Sequence, residues 1–431
     1  MSFRDLGFRR NPFDTHPLEG NAFGKALLVD REREIKRLKN SLYESRLAPT
    51  LEGSNGIGKT SLINVALYEI SLESNISGNP AFVVCPFRFQ VGSDTKIEDF
   101  LDDMYREVAM TLIRCKENAP VPPGHTRENL SSVLEDFISN PVIKSLSVTL
   151  GPIGGGGVAK SPNTSLAFEK NGFRSLVREY LSKIYRDSEA GAVVCVLDNL
   201  EILGTSQNAK RLFETLRDDI FNIHGIRWVC SGAHGIIRGL YRSGRMNGYF
   251  CPPIIVGEIK EEDAHFLYEK RVEVYRSRDD ATLPINKSQF QSLFEIFRGN
   301  TRFTLTEATL FCDWCFEQYE GADNFPADAF DRWIDDELNN MYGDVYPYLS
   351  KQERDFFEKA LQWELIVSTD FSDFDLTSED ELIKIADKFV GLDLLYVNKE
   401  DKGSSKSEIY EISPAAFKFQ YFIDSQKTEA E

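Results

Sequence analysis

The chain has 431 residues, of which 42% are hydrophobic and 27% are charged. This balance is typical of a folded protein with a large core, and it excludes a disordered or fibrous chain. At ordinary domain sizes the length predicts two or three domains. The sequence contains neither a signal-peptide pattern nor an apolar run of about eighteen residues, so we expect a cytoplasmic protein that does not enter a membrane.

The formal net charge of −18 is concentrated at one end of the chain. Residues 321–431 carry 26 acidic and 11 basic side chains, and therefore −15 of the total. This region as a whole would repel a phosphate backbone, so DNA binding would need a local basic patch or an assembled ring. The charge favours a protein partner for this region.

The first half of the chain predicts an α/β fold. After a helix-like stretch from Asp30 to Leu42, an extended run leads into a glycine-rich segment and a helix beginning near Lys59. Short apolar runs separated by helical stretches predict buried strands at Leu47–Leu51, Ala81–Pro86, Ala192–Leu197, Ile226–Ser231 and Pro253–Val256. This alternation predicts a parallel sheet with helices on both faces, which binds ligands beyond the carboxyl ends of its strands.

An insertion near 120–163 separates the second and third predicted strands. Its segment Ser147–Val158 begins with alternating apolar residues and ends in a glycine tract, which is consistent with a projecting hairpin that serves as an interaction arm. A flexible loop between helices explains the same residues equally well.

The second half of the chain predicts helices followed by a small mixed module. Helical spacing is found at Glu261–Val274, Gln289–Phe297, Thr304–Tyr319, Ala327–Met341, Lys351–Leu361 and Glu379–Phe389. Two strands joined by a polar turn then follow, at Leu394–Lys399, Asp401–Lys406 and Ser407–Ile412. The last two helices and the hairpin suggest a winged-helix-like module, although the acids of its second helix disfavour DNA reading.

We therefore predict four parts. They are an N-terminal segment (1–29), an α/β domain (30–258), a helical lid domain (259–344) and an acidic winged-helix-like domain (345–431). Cys312 and Cys315 have CxxC spacing, but no second CxxC accompanies them and the surrounding pattern is helical. We interpret them as core thiols rather than a metal or redox pair.

The glycine-rich segment satisfies the pattern GxxxxGK[ST]. Glycines let consecutive backbone N–H groups turn around phosphates, and the following helix N-terminus adds positive partial charge. We expect Lys59 to reach the β- and γ-phosphates of ATP and the Thr60 hydroxyl to ligate Mg²⁺. The predicted binding residues are Gly53, Ser54, Asn55, Gly56, Ile57, Gly58, Lys59, Thr60 and Ser61.

Polar residues follow two other predicted strands. Asp198 ends a fully apolar strand, where a carboxylate gains little unless it meets a cation, so we expect it to hold Mg²⁺ together with Thr60. Asn199 follows, and the nearest acid that could activate water is Glu201, for which a solvated acid at a helix start is an equal alternative. Ser231 ends the next strand, where it either orients water or the γ-phosphate or simply forms a turn.

Two arginine positions are candidates for contact with the γ-phosphate. Arg238, Arg242 and Arg245 lie close together, and Arg245 could act on a neighbouring subunit's nucleotide, with a plain surface arginine as the alternative. Arg302 begins a helix in the predicted helical domain and could reach back to the γ-phosphate, with a surface or capping role as the alternative.

In this order the motifs resemble those of AAA+ and STAND P-loop ATPases, especially the initiator and archaeal-type branch with a helical lid and a C-terminal winged helix. Gly53–Thr60 resembles Walker A, Val194–Asp198 resembles Walker B, and Ser231 occupies the sensor-1 place. Gly299-Asn-Thr-Arg302 resembles the sensor-2 motif with Thr in place of Pro, and Ser243-Gly-Arg245 resembles the arginine-bearing segment. Asn11-Pro-Phe13 and Leu28–Glu34 resemble the segment that lies against adenine in that group.

The resemblance implies an ATP- and Mg²⁺-dependent ATPase that forms homo-oligomers. We expect a slowly hydrolysing switch that controls a protein partner through the acidic C-terminal domain. The STAND-like string Leu197-Asp-Asn-Leu-Glu201 suggests a bacterial or archaeal defence system as one setting. The alternative is a DNA-associated AAA+ loader or transposition-type regulator.

Overall fold

The structure is a computed structural model that describes residues 1–76, 80–92, 95–115, 142–144, 160–162, 170–187, 190–203, 206–233, 236–320, 325–343, 345–363, 365–399 and 408–430. The chain divides into two compact units. We call Glu32–Ser54 with Lys59–Val256 the sheet unit, and Met1–Arg31 with Asn55–Gly58 and Gly257–Glu431 the helical unit. No helix within the described residues is long and apolar enough to cross a membrane.

Five parallel strands form the centre of the sheet unit. The strands of this unit are β1 (Thr50–Glu52), β2 (Ala81–Phe89), β3 (Val142–Lys144), β4 (Lys160–Pro162), β5 (Gly191–Leu197), β6 (Ile226–Gly232) and β7 (Ile254–Ile255). The parallel sheet has the order β2-β5-β6-β1-β7, with Val193 opposite Ile226 and Thr50 opposite Cys230. The predicted parallel α/β sheet is confirmed.

Helices cover the sheet because its strands are mostly apolar. Every residue of β5 is buried, which is the pattern of a strand covered on both faces. Phe89 packs against Phe100 and Trp228 at ring-centroid distances of 5.9 and 5.4 Å. The described helices of the unit are Glu32–Glu44, Lys59–Glu73, Ile97–Arg114, Lys170–Ile184, Ser206–Ile220 and Ile236–Arg242.

Within the predicted insertion, the structure describes only Val142–Lys144 and Lys160–Pro162. β3 and β4 pair antiparallel, with Val142 opposite Pro162. The segment Ser147–Val158, for which the sequence predicts either a hairpin or a loop, lies outside the described residues.

The helical unit joins the N-terminal segment to the predicted helices. Phe13 stacks on Phe290 at 5.7 Å, and the Asn11 side-chain amide donates to Thr309 Oγ1 at 3.0 Å. The buried guanidinium of Arg271 donates to the Pro12 carbonyl oxygen at 2.7 Å. The described α-helices of this unit that lie before residue 344 are Ala22–Leu27, Ala264–Tyr275, Lys287–Ile296, Thr301–Gln318 and Ala329–Tyr342.

The C-terminal part of the helical unit contains a small antiparallel sheet. Its strands are β8 (Leu365–Val367), β9 (Leu395–Lys399) and β10 (Glu408–Ile412), in the order β8-β10-β9. Its helices are Lys351–Ala360, Glu379–Gly391 and Pro414–Ala430. The two helices and the hairpin strands occur where the sequence predicts them, whereas β8 and the last helix are additions to that prediction. The polar turn Asp401–Lys406 lies outside the described residues.

Cys312 and Cys315 are fully buried in the core of the helical unit. Burial raises the pKa of the Cys312 thiol well above its ordinary value and that of Cys315 to about 12. Both side chains are therefore neutral apolar groups, and no group of three or more metal-ligating side chains occurs among the described residues. Their placement agrees with the interpretation as core thiols.

An ionic triad that includes the buried Glu307 joins three helices of the helical unit. Lys418 Nζ lies 2.5 Å from Glu307 Oε2 and 2.5 Å from Glu337 Oε1. Burial raises the pKa of Glu307 to about 7; Lys418 opposes this shift, and the Glu337 carboxylate adds to it. Glu307 lies on the helix Thr301–Gln318 and Lys418 on the last helix, so the triad ties the last helix to the rest of the unit.

The raised pKa of Glu307 predicts that its contribution to the free energy of unfolding decreases as the pH rises. The folded protein holds the Glu307 proton more tightly than the unfolded chain does, so the contribution is present below about pH 4.5 and is lost as the pH rises through about 7. Denaturant unfolding of the parent between pH 5 and 8 should show a decrease of about 2 kcal/mol from this group. Glu307→Gln should remove that part of the slope, while Glu273→Gln, at an exposed ion pair, should not. Equal slopes in all three proteins would contradict the assignment.

Candidate functional site

The glycine-rich segment connects β1 to the helix Lys59–Glu73. Gly56 and Gly58 have φ angles of +82° and +97°, a region that side-chain-bearing residues rarely adopt. A Cβ at Gly58 would meet nothing within 4 Å, so the backbone conformation alone requires glycine there. The Gly53 N–H donates to the Gly232 carbonyl at 3.3 Å, which fixes the start of the loop to the end of β6.

Lys59 is buried at the first turn of the helix. Its ammonium donates to the carbonyl oxygens of Gly53 at 2.9 Å and Ser54 at 3.2 Å. These contacts hold the positive charge at the start of the loop. A lysine in this place can neutralise phosphate oxygens that lie against the loop.

Asp198 is the centre of a hydrogen-bond cluster at the carboxyl edge of the sheet. Thr60 Oγ1 donates to Asp198 Oδ2 at 2.7 Å, and the Asn199 N–H donates to Asp198 Oδ1 at 3.0 Å. The Ser231 hydroxyl also donates to Asp198 Oδ1. Asp198 is buried, and its backbone N–H donates to the Phe89 carbonyl oxygen at 2.9 Å. Strands β2, β5 and β6 and the loop helix therefore converge on one carboxylate.

The same cluster fits a magnesium ion. The Thr60 hydroxyl and the Asp198 carboxylate are hard oxygen donors in direct contact, and Mg²⁺ prefers such ligands, completing its shell with water and phosphate oxygens. The structure brings together the two residues that the sequence predicts as metal ligands. It also places Ser231 on the carboxylate instead of in a free turn.

Asn199 and Glu201 lie in the turn that follows Asp198. Asn199 has a φ of +59°, a left-handed conformation that asparagine tolerates better than most residues. Glu201 belongs to the 3₁₀ turn Leu200–Leu203, and its side chain is outside the described part of the structure. Its role as an activator of water stays a prediction.

Arg238 forms an ion pair with the last residue of β1, the strand that leads into the glycine loop. Its Nε lies 3.2 Å from Oε1 of Glu52, the fully buried last residue of β1. Arg245 is 75% exposed and lies 3.4 Å from Glu214, so it is accessible from outside the chain. Glu52 is not among the residues predicted from the sequence, although an acid at the end of a strand, directly before a glycine loop, is a signal of the same kind as Asp198.

The middle of the loop, Asn55–Gly58, makes its contacts within the helical unit. The Asn300 side-chain amide donates to the Asn55 carbonyl at 2.9 Å, and the Arg302 N–H donates to the Gly56 carbonyl at 3.3 Å. A Cβ at Gly56 would lie 2.9 Å from the Arg302 Cβ, so glycine is also needed here for close approach. The predicted sensor-2 segment therefore lies directly on the loop.

Arg31 is a second arginine on this part of the loop, and no role of its side chain is predicted from the sequence. It is buried and donates to the carbonyl oxygens of Ile57 at 3.4 Å and Gly257 at 2.8 Å. Three carbonyl oxygens of Asn55–Gly58 therefore accept hydrogen bonds, two from Asn300 and Arg302 and one from Arg31. A movement of Asn55–Gly58 would have to break or change these bonds.

No family model matches the sequence, and no curated protein matches it. The chain is similar to the solved structure of the Aeropyrum pernix ORC1 protein in complex with DNA, with 11% identity, a TM-score of 0.44 and coverage of 98% of this chain and 99% of that chain. It is similar to the Aeropyrum pernix ORC2 protein in its ADPNP-ADP complexes, with 13% identity, a TM-score of 0.45 and coverage of 99% and 100%. The CDC6P protein of Pyrobaculum aerophilum has 14% identity and a TM-score of 0.42, with coverage of 94% and 96%.

These three solved structures share only 11% to 14% identity with the chain, so they bear on its fold alone. Their TM-scores lie below 0.5, so they assign no function to this chain. The fold class stands on the chain's own geometry, a parallel α/β sheet with a P-loop after β1. The chemistry of the site is carried by its own residues.

The pair of Arg238 and Glu52 predicts a stability difference between two neighbouring arginines. Arg238→Gln should lower the free energy of unfolding by about 1–2 kcal/mol, because it removes a cation from a fully buried carboxylate, with a discount for the half-exposed arginine. Arg245→Gln breaks only an exposed pair and should change it by less than about 0.5 kcal/mol. Chemical denaturation measures both. Equal losses would show that Glu52 does not depend on Arg238.

Proposed function

We propose that this protein is an ATP-binding molecular switch with slow hydrolysis, which changes conformation or oligomeric state to control a protein partner. The observation that carries this proposal is the contact of Thr60 with Asp198 beside a glycine loop that holds the buried Lys59. A loop of this kind binds phosphates, and a hydroxyl next to a carboxylate binds their magnesium ion.

We assign the chemistry to the chain's own residues as follows. Lys59 neutralises the β- and γ-phosphates, and Thr60 with Asp198 would hold Mg²⁺, which supplies charge neutralisation at the phosphates when bound. Glu201 orients or activates the attacking water, and Ser231 keeps Asp198 in place. Because Asn199 directly follows Asp198, the nearest acid is Glu201, two residues further along the chain, which supports slow turnover.

The segment Phe297–Arg302 supports a coupling between the loop and the C-terminal module. Asn300 and Arg302 contact the loop at Asn55 and Gly56. In the same segment, Arg298 donates to the Leu361 carbonyl at 2.8 Å and lies 5.2 Å over the Phe417 ring. A change in the conformation of the loop would therefore also alter, through these six residues, the contacts that Arg298 makes with Leu361 and Phe417.

The helix that follows supplies a second connection. Thr301–Gln318 carries Arg302 in its first turn, and it carries Glu307, which pairs with Lys418 of the last helix. We propose that phosphate binding by the loop changes the contacts of Asn300 and Arg302 and, through this helix, the exposure of the acidic C-terminal module. Such coupling needs two states that the nucleotide distinguishes.

The charge of the C-terminal module supports a basic protein partner over DNA. Glu379, Asp380 and Glu381 occupy the first turn of the helix that would read DNA in a winged-helix module. We further propose a homo-oligomer in which the exposed Arg245 acts on the nucleotide of a second copy. A bacterial or archaeal defence system remains the proposed setting. A DNA loader is the rival function, and affinity for duplex DNA that falls steeply with salt would favour it.

The nucleotide site itself is tested by a pair of lysine variants. Lys59→Ala should weaken MgATP binding by about 100-fold or more, because a buried ammonium that pairs with phosphate oxygens is lost. Lys183→Ala, at an exposed ion pair with Glu179, should bind MgATP as the parent does. Isothermal titration calorimetry gives both affinities, with circular dichroism to check folding. Unchanged affinity in a folded Lys59→Ala protein would refute the site.

The switch is tested separately from binding. Hydrogen exchange in the helix Pro414–Ala430 should differ between the ATP- and ADP-bound parent. Arg302→Ala keeps the backbone bond to Gly56 but removes the guanidinium that we propose to reach the γ-phosphate, so it should abolish that difference while MgATP affinity changes by less than about tenfold. Arg332→Ala, which breaks an exposed pair with Asp328, should keep the difference. If the parent shows no nucleotide-dependent exchange there, the protein binds ATP without using it as a switch.

A further inference from the structure

The strand β2 continues past the residue at which the sequence predicts its end. The predicted strand stops at Pro86, which has no N–H to donate to a neighbouring strand. In the structure β2 is an edge strand of the five described parallel strands, where a proline is tolerated, and it extends to Phe89. The extension carries one charged side chain, that of Arg88.

A bulge in β2 sets the position of Arg88 relative to β5. Val84 lies opposite Val194. Arg88, four residues further along β2, lies opposite Val196, which is only two residues further along β5. A regular register would instead place Arg88 opposite Asp198. Bulges re-aim side chains and are frequent next to functional sites, and this one holds the Arg88 backbone two positions short of the candidate metal ligand.

The Arg88 guanidinium connects β2 to the helix that follows the glycine loop. Its Nη2 donates to Oδ1 of Asn64, and its Nη1 donates to the Cys85 carbonyl oxygen at 3.3 Å. Asn64 lies four residues after Thr60 on the helix Lys59–Glu73, so the two side chains share one face of that helix. All of these residues belong to the sheet unit. Arg88 therefore links the bulge to the helix that positions Thr60.

The charge of Arg88 lies near Asp198 without a direct ion pair. Arg88 is half-buried, and both of its hydrogen-bond acceptors among the residues that the structure describes are neutral oxygens. Burial lowers the pKa of Arg88, and the main opposing influence is the charge of Asp198. The guanidinium is thus within electrostatic reach of that carboxylate, while its hydrogen bonds go to other groups.

This indirect placement suits a carboxylate that has to bind a cation. A guanidinium in direct contact with Asp198 would occupy the oxygen lone pairs that a metal ion needs. The hydrogen bond of Arg88 goes instead to Asn64, which lies about 6 Å along the helix from Thr60 on the side away from the loop. Arg88 can therefore fix the separation of the helix and β5 without competing for the metal ion or for phosphate oxygens.

We propose that Arg88 is a positioning residue for a magnesium ion held by Thr60 and Asp198. Through Asn64 and the bulge of β2 it fixes the spacing of these two ligands. This inference rests on the proposed function, because it needs an ATP-bound magnesium ion at this place. Removal of a side chain that orients metal ligands typically weakens metal binding by about 10- to 100-fold. The phosphates are held by the glycine loop and Lys59, so the loss of Arg88 affects the metal ion more than the nucleotide.

The test compares the ATP affinity of the full chain in excess Mg²⁺ with its affinity in EDTA, both by isothermal titration calorimetry. The ratio of the two affinities measures the contribution of the metal ion. Arg88→Ala should lower this ratio by about tenfold, while the affinity in EDTA stays that of the parent. Arg88→Lys keeps the charge but cannot bond to Asn64 and the Cys85 carbonyl together, so its ratio should lie between those of the parent and Arg88→Ala.

Arg174→Ala is the matched control. Arg174 is a half-buried arginine of the same unit that pairs with Asp102 and Glu98. Its removal should leave the ratio of the two affinities at the parent value. An equal decrease of the ratio in Arg174→Ala would attribute the effect to a general loss of stability and would overturn the proposal.

A double-mutant cycle tests the connection through Asn64. Asn64→Ala should lower the ratio as Arg88→Ala does, and the double variant should lose no more than either single variant. Additive losses, or an unchanged ratio in Arg88→Ala, overturn the proposal. An equal loss of affinity in Mg²⁺ and in EDTA overturns it as well, because Arg88 would then bind phosphate directly.

The parent protein separates this inference from the proposed function. If Mg²⁺ does not strengthen ATP binding by the parent, the metal site of the proposed function fails, and the inference fails with it. If Mg²⁺ strengthens binding equally in the parent and in Arg88→Ala, only the inference fails. Arg88→Lys decides the case in which Arg88→Ala does not fold, since a parent ratio in the folded lysine variant overturns the proposal.

Discussion

The hydrogen bond between Thr60 and Asp198 is the interaction on which the candidate site depends. It joins residues 138 positions apart at a distance of 2.7 Å. That meeting requires the sheet order, because β6 lies between β1 and β5 and brings Ser231 onto the same carboxylate. Since all five strands are parallel, their polar ends must meet at one edge. The apolar strands thus determine where the polar chemistry lies.

The segment Phe297–Arg302 connects the loop residues Asn55–Gly58 to the rest of the helical unit. Its side chains point to two different neighbours: Asn300 to the loop carbonyl of Asn55, and Arg298 to the Leu361 carbonyl and the Phe417 ring. Arg298 and Gly299 both have positive φ, at +48° and +80°. This bend turns consecutive residues to opposite neighbours. In the proposed switch this bend couples the two sets of partners, because a movement of one set changes the contacts of the other.

Charge is distributed unevenly, and each unevenness has a structural counterpart. The acidic C-terminal module keeps one buried lysine, Lys418, between two carboxylates. Beside β5, the half-buried Arg88 lies near the charge of Asp198. At the carboxyl edge, Arg238 balances the buried Glu52. Buried or half-buried charges of this kind need a compensating partner, which the protein or a ligand must supply.

The sequence by itself determined the parallel sheet, the glycine loop and the candidate ligands Lys59, Thr60 and Asp198, because apolar strand runs and the GxxxxGK[ST] spacing are local patterns. It also located most of the helices. It did not locate the strand β8, because three residues are too few for a periodic signal. Only the tertiary structure decided which arginine meets which acid: it set Arg238 on Glu52 and left Arg245 exposed. It also set Arg88 opposite Val196 through a bulge in β2. Ion pairs and strand registers depend on distances between residues far apart in the chain, and sequence spacing does not contain those distances.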